Sequence, residues 1–230
     1  MCEDELLDKL ASTIIDGDEQ AASTVAQEIM DAGIDPIKAI AKGATKGLDT
    51  VGERFQKLEA FLPDLQLAGD AMQACVEIFK QHIKPEQMSE FGLGNVIVGT
   101  VYGDIHDIGK NLVSTMLMAS GFEVHDLGIN VQVKRFIEEA EKVEARVIAL
   151  SALLTQTSYY QKQVIDYLRD LGKRDKYYIV VGGAPISPEW AQEIGADGYA
   201  RTAVGAAQLV KKLFADKTPP PVPQTVIINK

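Results

Sequence analysis

The chain is poor in the residues that hold a metal through protein donors alone. It has three histidines and two cysteines among 230 residues. Cys2 and Cys75 form no CxxC pair and no zinc spacing. Neither a disulfide framework nor a structural zinc site is expected, and a reduced, intracellular (cytoplasmic) setting is the simplest reading. Basic runs are missing too. Lysine and arginine number 23 against 33 acidic residues, a formal net charge of −10. That argues against nucleic acid and against anionic membranes as partners. No apolar stretch approaches the ~18–20 residues of a membrane span. The opening "MCEDELLDKL" is acidic and amphipathic rather than a basic-then-apolar leader. There is no GxxxxGK[ST], no GxGxxG after the first strand and no GxSxG, which removes the common phosphate-cradling and serine-nucleophile motifs.

What is present falls into two rhythms. Residues 1–88 read as helix. Leu7, Leu10 and Ile14 keep helical spacing until Asp16-Gly17-Asp18 breaks the run. Asp18 caps a second helix carrying Ala22, Val25 and Ile29, which stops near Gly33. Asp35-Pro36 opens a third, with Ile37, Ile40, Ala44, Leu48, Val51 and Phe55 three or four residues apart. Pro63 opens a fourth with Leu67, Ala71, Cys75 and Ile78, ending before Pro85. Four helices with short connections predict a small antiparallel bundle.

From residue 94 strands and helices alternate. "NVIVGTV", "FEVHDLG", "RVIALS", "YYIVVGG" and "DGYA" read as strands. Helices are expected near 108–120, 132–143, 157–172 and 187–194, with "AVGAAQLVKKLF" the last. Strict alternation implies a doubly wound parallel sheet. The fold class is therefore α/β: a four-helix bundle over 1–88, a Rossmann-like domain over 89–215, and a proline-containing tail over 216–230 that is either an extended arm or partly disordered. Residues 84–95, "KPEQMSEFGLGN", have the proline and glycines of a hinge.

In such sheets ligands bind beyond the carboxyl ends of the strands. His106, in "YGDIHDIGKNL", follows the first strand. Ser151, Thr155 and Thr157 follow the third, and Gly182 and Gly183 the fourth. A lone loop histidine is ordinarily a satisfied structural one. This one lies on the ligand-binding rim, with Asp104 placed to hydrogen-bond one ring nitrogen and leave the other bare. No second protein ligand is evident, and one histidine holds free zinc poorly. A single histidine is the pattern of an axial ligand whose other metal bonds come from a macrocycle.

"GDIHDIGKN" resembles the DxHxxG motif of cobalamin-binding domains, at Asp104, His106 and Gly109. The likeness continues in order: "LSALLT" with Gln156-Thr157 is similar to the family's SxL segment, and "VVGGA" to its GG segment. "VGERFQKLEAFLPDLQLAGDAM" resembles the helical cap of methyl carriers. The match spans about residues 4–215. The chain is thus similar to the stand-alone corrinoid proteins of methyltransferase systems, related to the cobalamin-binding module of methionine synthase.

The resemblance implies a residue-by-residue reading. His106 takes the lower axial place on cobalt and is the metal ligand. Asp104 is the carboxylate behind it, and Thr157 stands where methionine synthase has a serine. These three carry the catalytic role. A carboxylate on the far nitrogen makes the imidazole a better donor to cobalt; reduction would release the axial bond and couple redox state to a proton. Asp107, Ile108, Gly109, Ser151, Leu153, Thr155, Gly182, Gly183, Ala184, Tyr199, Ala200, Arg201 and Thr202 contact the cofactor or its nucleotide tail. Phe55 and Leu62, seven residues apart and two helical turns if the helix continues, shield the upper face. The cofactor is cobalamin, cycling between methylcobalamin and cob(I)alamin. The partners are a substrate-specific methyltransferase, an acceptor methyltransferase serving tetrahydrofolate or a thiol, and a reductive activase. The protein is then a cofactor-carrying component rather than a complete enzyme. The alternatives are a cobalamin-binding regulatory or sensor module and a subunit of an adenosylcobalamin-dependent mutase. A sensor normally brings a basic DNA-binding domain, and a mutase a large barrel.

Overall fold

The computed structural model describes residues 2–83, 94–216 and 218–229. The expected hinge lies mostly on 84–93, outside the described residues. Two compact units emerge: residues 1–93 with 115–121, and 94–114 with 122–230.

The helical unit contains α1 (Glu3–Asp16), α2 (Glu19–Asp31), α3 (Pro36–Ala39), a π-helical turn (Ile40–Ala44), α4 (Thr45–Gln56) and α5 (Leu62–Lys80). The capping signals act as their chemistry requires. Asp18 accepts from the Ala21 amide and Asp35 from the Ile37 amide, satisfying donors that a helix start leaves unpaired. Leu10, Ile14, Ile29, Leu48, Leu65, Met72 and Phe79 fill the core. The third expected helix is interrupted by the π turn. Just after it, in α4, α1 comes so close that a Cβ on Gly47 would lie 2.5 Å from the Ala11 carbonyl oxygen. The helix does not continue from Phe55 to Leu62. It ends at Gln56, and Leu58 at φ 60° reverses the chain before α5 begins. Phe55 and Leu62 therefore sit on two helices, not on two turns of one.

The second unit is a sheet of six parallel strands in the order β2-β1-β3-β4-β5-β6. They are β1 (Asn95–Thr100), β2 (Glu123–Asp126), β3 (Val147–Ser151), β4 (Tyr178–Gly182), β5 (Gly198–Ala200) and β6 (Val226–Ile228). The connecting helices are α6 (Ile108–Ala119), α7 (Val133–Lys142), α8 (Thr155–Asp170), α9 (Pro188–Ile194) and α10 (Ala203–Asp216). Alternate strand residues face alternate layers: Ile97, Ile148, Leu150, Ile179 and Val181 share one cluster with Phe136, Val164, Ile165 and Leu168. Strand order reverses between β1 and β3, the place where doubly wound sheets open a crevice.

The tail adds the sixth strand. Arg201 donates its amide to the Ile228 carbonyl, and Val222 and Thr225 are tied to Asp197 and Ala196. Asp197 is itself buried, held by Arg174 at 2.7 Å and by the Ile179 amide at 2.7 Å. Over the described residues the tail runs as an arm docked against β5 and Asp197.

Candidate functional site

The site grows from the reversal point. Strand β1 ends at Thr100, Val101 adds a single parallel bridge to Val131, and residues 102–107 form a loop. Two neighbours hold that loop. Thr100 Oγ1 donates to the His106 carbonyl at 2.8 Å. From the segment after β2, Asn130 accepts the Gly103 amide through its side chain at 2.8 Å and donates its own amide to the Asp104 carbonyl at 2.9 Å.

Asp104 is completely buried. Its Oδ1 receives the His106 amide at 3.1 Å and His106 Nδ1 at 2.7 Å. Its Oδ2 receives the Leu153 amide at 2.8 Å, the Leu154 amide at 3.2 Å and Thr157 Oγ1 at 2.6 Å. Burial pushes the carboxyl pKa up, but the bonds from Thr157, His106 and Leu153 outweigh it and hold the group well below the usual carboxylate range.

An ionised carboxylate only accepts, so the proton shared with His106 belongs to Nδ1. That assigns the tautomer from the network: in the neutral ring it is Nε2 that carries the lone pair. Nε2 has no hydrogen-bond partner among the described residues, and the His106 side chain is 45% exposed. A neutral imidazole with one nitrogen fixed on a buried carboxylate and the other bare is the donor a metal in a preformed ring requires. Among the described residues no group of three or more His, Cys, Asp or Glu side chains could hold a metal. The donor set thus fits a cofactor that brings its own ligands and does not fit a free ion.

Apolar side chains that a folded core would ordinarily hide are exposed on the loops after β1 and β3 and at the starts of the helices that follow. Ile105 is 69% exposed and Ile108 85%. Leu153, Leu154, Tyr102 and Tyr159 are also exposed. On the same loop Asp107 is exposed and caps Asn111 through its carbonyl. Gly109 has nothing within 4 Å of where a Cβ would be, so the space beside the first turn of α6 is open.

The remaining sequence-predicted residues occupy the carboxyl ends of β3, β4 and β5. Ser151 and Gly182 are cross-strand partners, and both are half-buried. Thr155 opens α8 and is exposed. Gly183, at φ +127°, passes so close to the Ala152 carbonyl that a Cβ would lie 1.8 Å from its oxygen; the fold itself demands glycine there. Ala184, Arg201 and Thr202 are exposed. Ala200 is buried, and Tyr199 packs in the core, so at β5 the tyrosine ring belongs to the interior. Phe55 is half-buried and Leu62 exposed in the helical unit. A recess of about 450 Å³ between α1 and the 32–38 segment is lined by Glu3, Ile34 and Lys38, and none of the candidate residues lines it.

Sequence reasoning missed Thr100, Asn130 and Gln161. Buried Gln161 donates to the Leu150 and Gly182 carbonyls at 3.0 and 3.1 Å and accepts from Trp190 Nε1 at 3.1 Å. It joins the ends of β3 and β4, where the SxL and GG segments begin. A signal existed: Thr157, Gln161, Val164, Ile165 and Leu168 form the buried stripe of α8, and a polar residue on an apolar stripe needs a partner.

Comparison with known proteins places this geometry in a family. The B12 binding domain matches residues 94–208, and a second B12 binding domain family matches 6–80. A corrinoid protein of Desulfitobacterium hafniense is 42% identical over 210 residues, 91% of this chain and 97% of the relative. The dimethylamine corrinoid protein of Methanosarcina barkeri is 44% identical over 215 residues, 94% and 100% of the two chains. A chain of the methanol:cobalamin methyltransferase complex of the same organism superposes with a TM-score of 0.75 at 28% identity, covering 94% of this chain and 82% of that one.

Proposed function

The chain belongs to the B12-binding corrinoid proteins, methyl-carrying components of methyltransferase systems with cobalamin as cofactor, and from that footing we propose that the Asp104–His106–Thr157 relay holds the cobalt. The observation that carries the proposal is the bare Nε2 of a histidine whose Nδ1 is fixed on a buried carboxylate. When bound, the corrinoid supplies the cobalt that carries the methyl group.

The chain's own residues then have distinct tasks. His106 presents Nε2 and cannot turn, because Asp104 grips both its ring and its amide. Asp104 stays ionised, so the imidazole stays in the donor tautomer. Thr157 Oγ1 has two acceptors within reach, Asp104 Oδ2 at 2.6 Å and the Leu154 carbonyl at 2.9 Å. Should a proton reach Asp104, the hydroxyl can turn toward Leu154 and accept from the carboxyl. The Asp104–Thr157 pair could thus hold a proton beside His106 if the bound cofactor's chemistry called for one. The exposed apolar residues Ile105 and Ile108 suit the corrin face, and the open space beside Gly109 suits the nucleotide tail. Ser151, Leu153, Gly182 and Ala200 line the strand ends where the tail would continue.

The protein works with a methyltransferase. We take the fuller arrangement to be one methyltransferase that delivers the methyl group, a second that passes it to tetrahydrofolate or a thiol, and a reductive activase, all in the cytoplasm. The likeness to the dimethylamine corrinoid protein supports a methylated amine as the donor class. Phe55 and Leu62 are proposed to shield the methyl group, on the resemblance of their stretch to the cap of methyl carriers.

The test is reconstitution with cobalamin followed by methyl transfer against a panel of donors and partner methyltransferases. Transfer from one methylamine, lost in His106→Ala while corrinoid stays bound, is the expected result. Corrinoid-independent transfer would overturn it.

A further inference from the structure

The first turn of α6 is weak by its own sequence. Ile108 is 85% exposed. Gly109 is the poorest ordinary helix former. The turn contains no acidic residue, and its third member is a lysine, whose charge opposes the positive end of the helix dipole. Lys110 is also buried, its side chain 2% exposed. A cation in that position suffers both desolvation and the dipole, and an apolar side chain of similar length would avoid both costs.

The structure shows what holds it there. Lys110 Nζ donates to Asp126 Oδ2 in a short ion pair and to Asn111 Oδ1 at 2.6 Å. Asp126 ends β2. Its other oxygen accepts the Gly128 amide at 2.8 Å. The Gly128 carbonyl accepts the Thr100 amide at 3.0 Å, and Thr100 Oγ1 holds the His106 carbonyl. One chain of polar contacts thus runs from the first turn of α6 through the end of β2 to the histidine loop.

We infer that the Lys110–Asp126 pair is a clasp that keeps this turn wound before any cofactor arrives, and so keeps the slot for the nucleotide tail formed in the apoprotein. The pair positions; it does not touch the metal ligand. The inference rests on the reading that the tail runs beside Gly109. A preformed slot leaves less ordering to be done on binding, which strengthens affinity for the ligand part that occupies it. The clasp therefore bears on the tail and not on the corrin ring.

Two measurements test it on the full chain, with Lys110→Met and the milder Asp126→Asn. The first is amide hydrogen exchange of the apoprotein and needs no cofactor. Amides of residues 108–114 should exchange about tenfold faster or more in both variants, with β1 and β3 unchanged. The second compares binding of cobalamin with that of cobinamide, the corrinoid without its nucleotide tail. Cobalamin should bind about tenfold more weakly in the variants, and cobinamide by less than about threefold. Unchanged exchange would overturn the clasp. Equal weakening of the two corrinoids would overturn its link to the tail. Failure of the unaltered protein to bind either corrinoid would overturn the underlying reading instead, and the exchange result would still decide whether the clasp exists. Asp126→Asn keeps a hydrogen-bonding side chain, so it serves if Lys110→Met does not fold.

Discussion

Asp104 gives up all contact with water on folding and receives hydrogen bonds from Thr157, His106, Leu153 and Leu154 in return. Burial alone would raise its pKa; the donors more than reverse this, so the folded value lies below the unfolded value of about 3.9. The folded state then binds fewer protons than the unfolded one. The stabilisation is fully present above about pH 4 and is lost as pH falls toward the folded value. Urea unfolding of the apoprotein should show this acid limb, and Asp104→Asn should flatten it. At neutral pH that substitution turns an amide NH₂ toward backbone amides that only donate, those of Leu153 and Leu154 or that of His106, and it should cost about 2–3 kcal/mol. Thr157→Val should move the limb to higher pH, because one of the bonds that lowers the carboxyl is gone. Thr157→Ser should leave it in place. A limb that ignores Thr157 would mean the hydroxyl serves Leu154 alone. Cys75, by contrast, is an inert core thiol: burial pushes it up to about 12.

Two glycines that look alike in sequence part company within the elements. Gly183 is required by the close Ala152 carbonyl, so Gly183→Ala should destabilise the apoprotein outright. Gly109 meets nothing. Gly109→Ala should stabilise the apoprotein by up to ~1 kcal/mol through helix propensity, yet lower cobalamin affinity if the tail uses that space. Denaturant midpoints and cobalamin titrations of the two variants check both statements; an unchanged affinity in Gly109→Ala would move the tail elsewhere. This contrast shows where sequence legibility ends. The βα alternation, the caps at Asp18 and Asp35 and the Asp-His-Gly loop were readable because each is a local pattern with its own chemistry. The π turn was not, since no local pattern marks it; its Gly43 lies against Leu7 and Leu10 of α1, a contact made across space. The strand-like end of the tail was readable as well, but its place as β6 was not, because that depends on the edge of β5 and the buried Asp197 that receive it. Thr100, Asn130 and the Lys110–Asp126 pair act across space, and no spacing rule connects residue 110 to residue 126.

As a whole the molecule is a methyl-carrying corrinoid protein built of a helical unit and a sheet unit, with a formal net charge of −10. Among the described residues no helix is long and apolar enough to cross a membrane. The proposed shielding role of Phe55 and Leu62 makes a whole-protein prediction. In the Phe55→Ala/Leu62→Ala variant reconstituted with methylcobalamin, photolysis should accelerate while corrinoid content holds; a wild-type rate would return both side chains to ordinary packing roles. The central claim concerns a single bond, and spin resonance of the cobalt(II) form reads it directly. Protein grown on ¹⁵N-histidine and reconstituted with unlabelled cobalamin should show axial hyperfine splitting changed from the triplets of ¹⁴N to the doublets of ¹⁵N, and His106→Ala should lose that doublet pattern. Triplets that persist in the labelled protein would mean that the cofactor's own base stays on cobalt and that His106 is not its ligand.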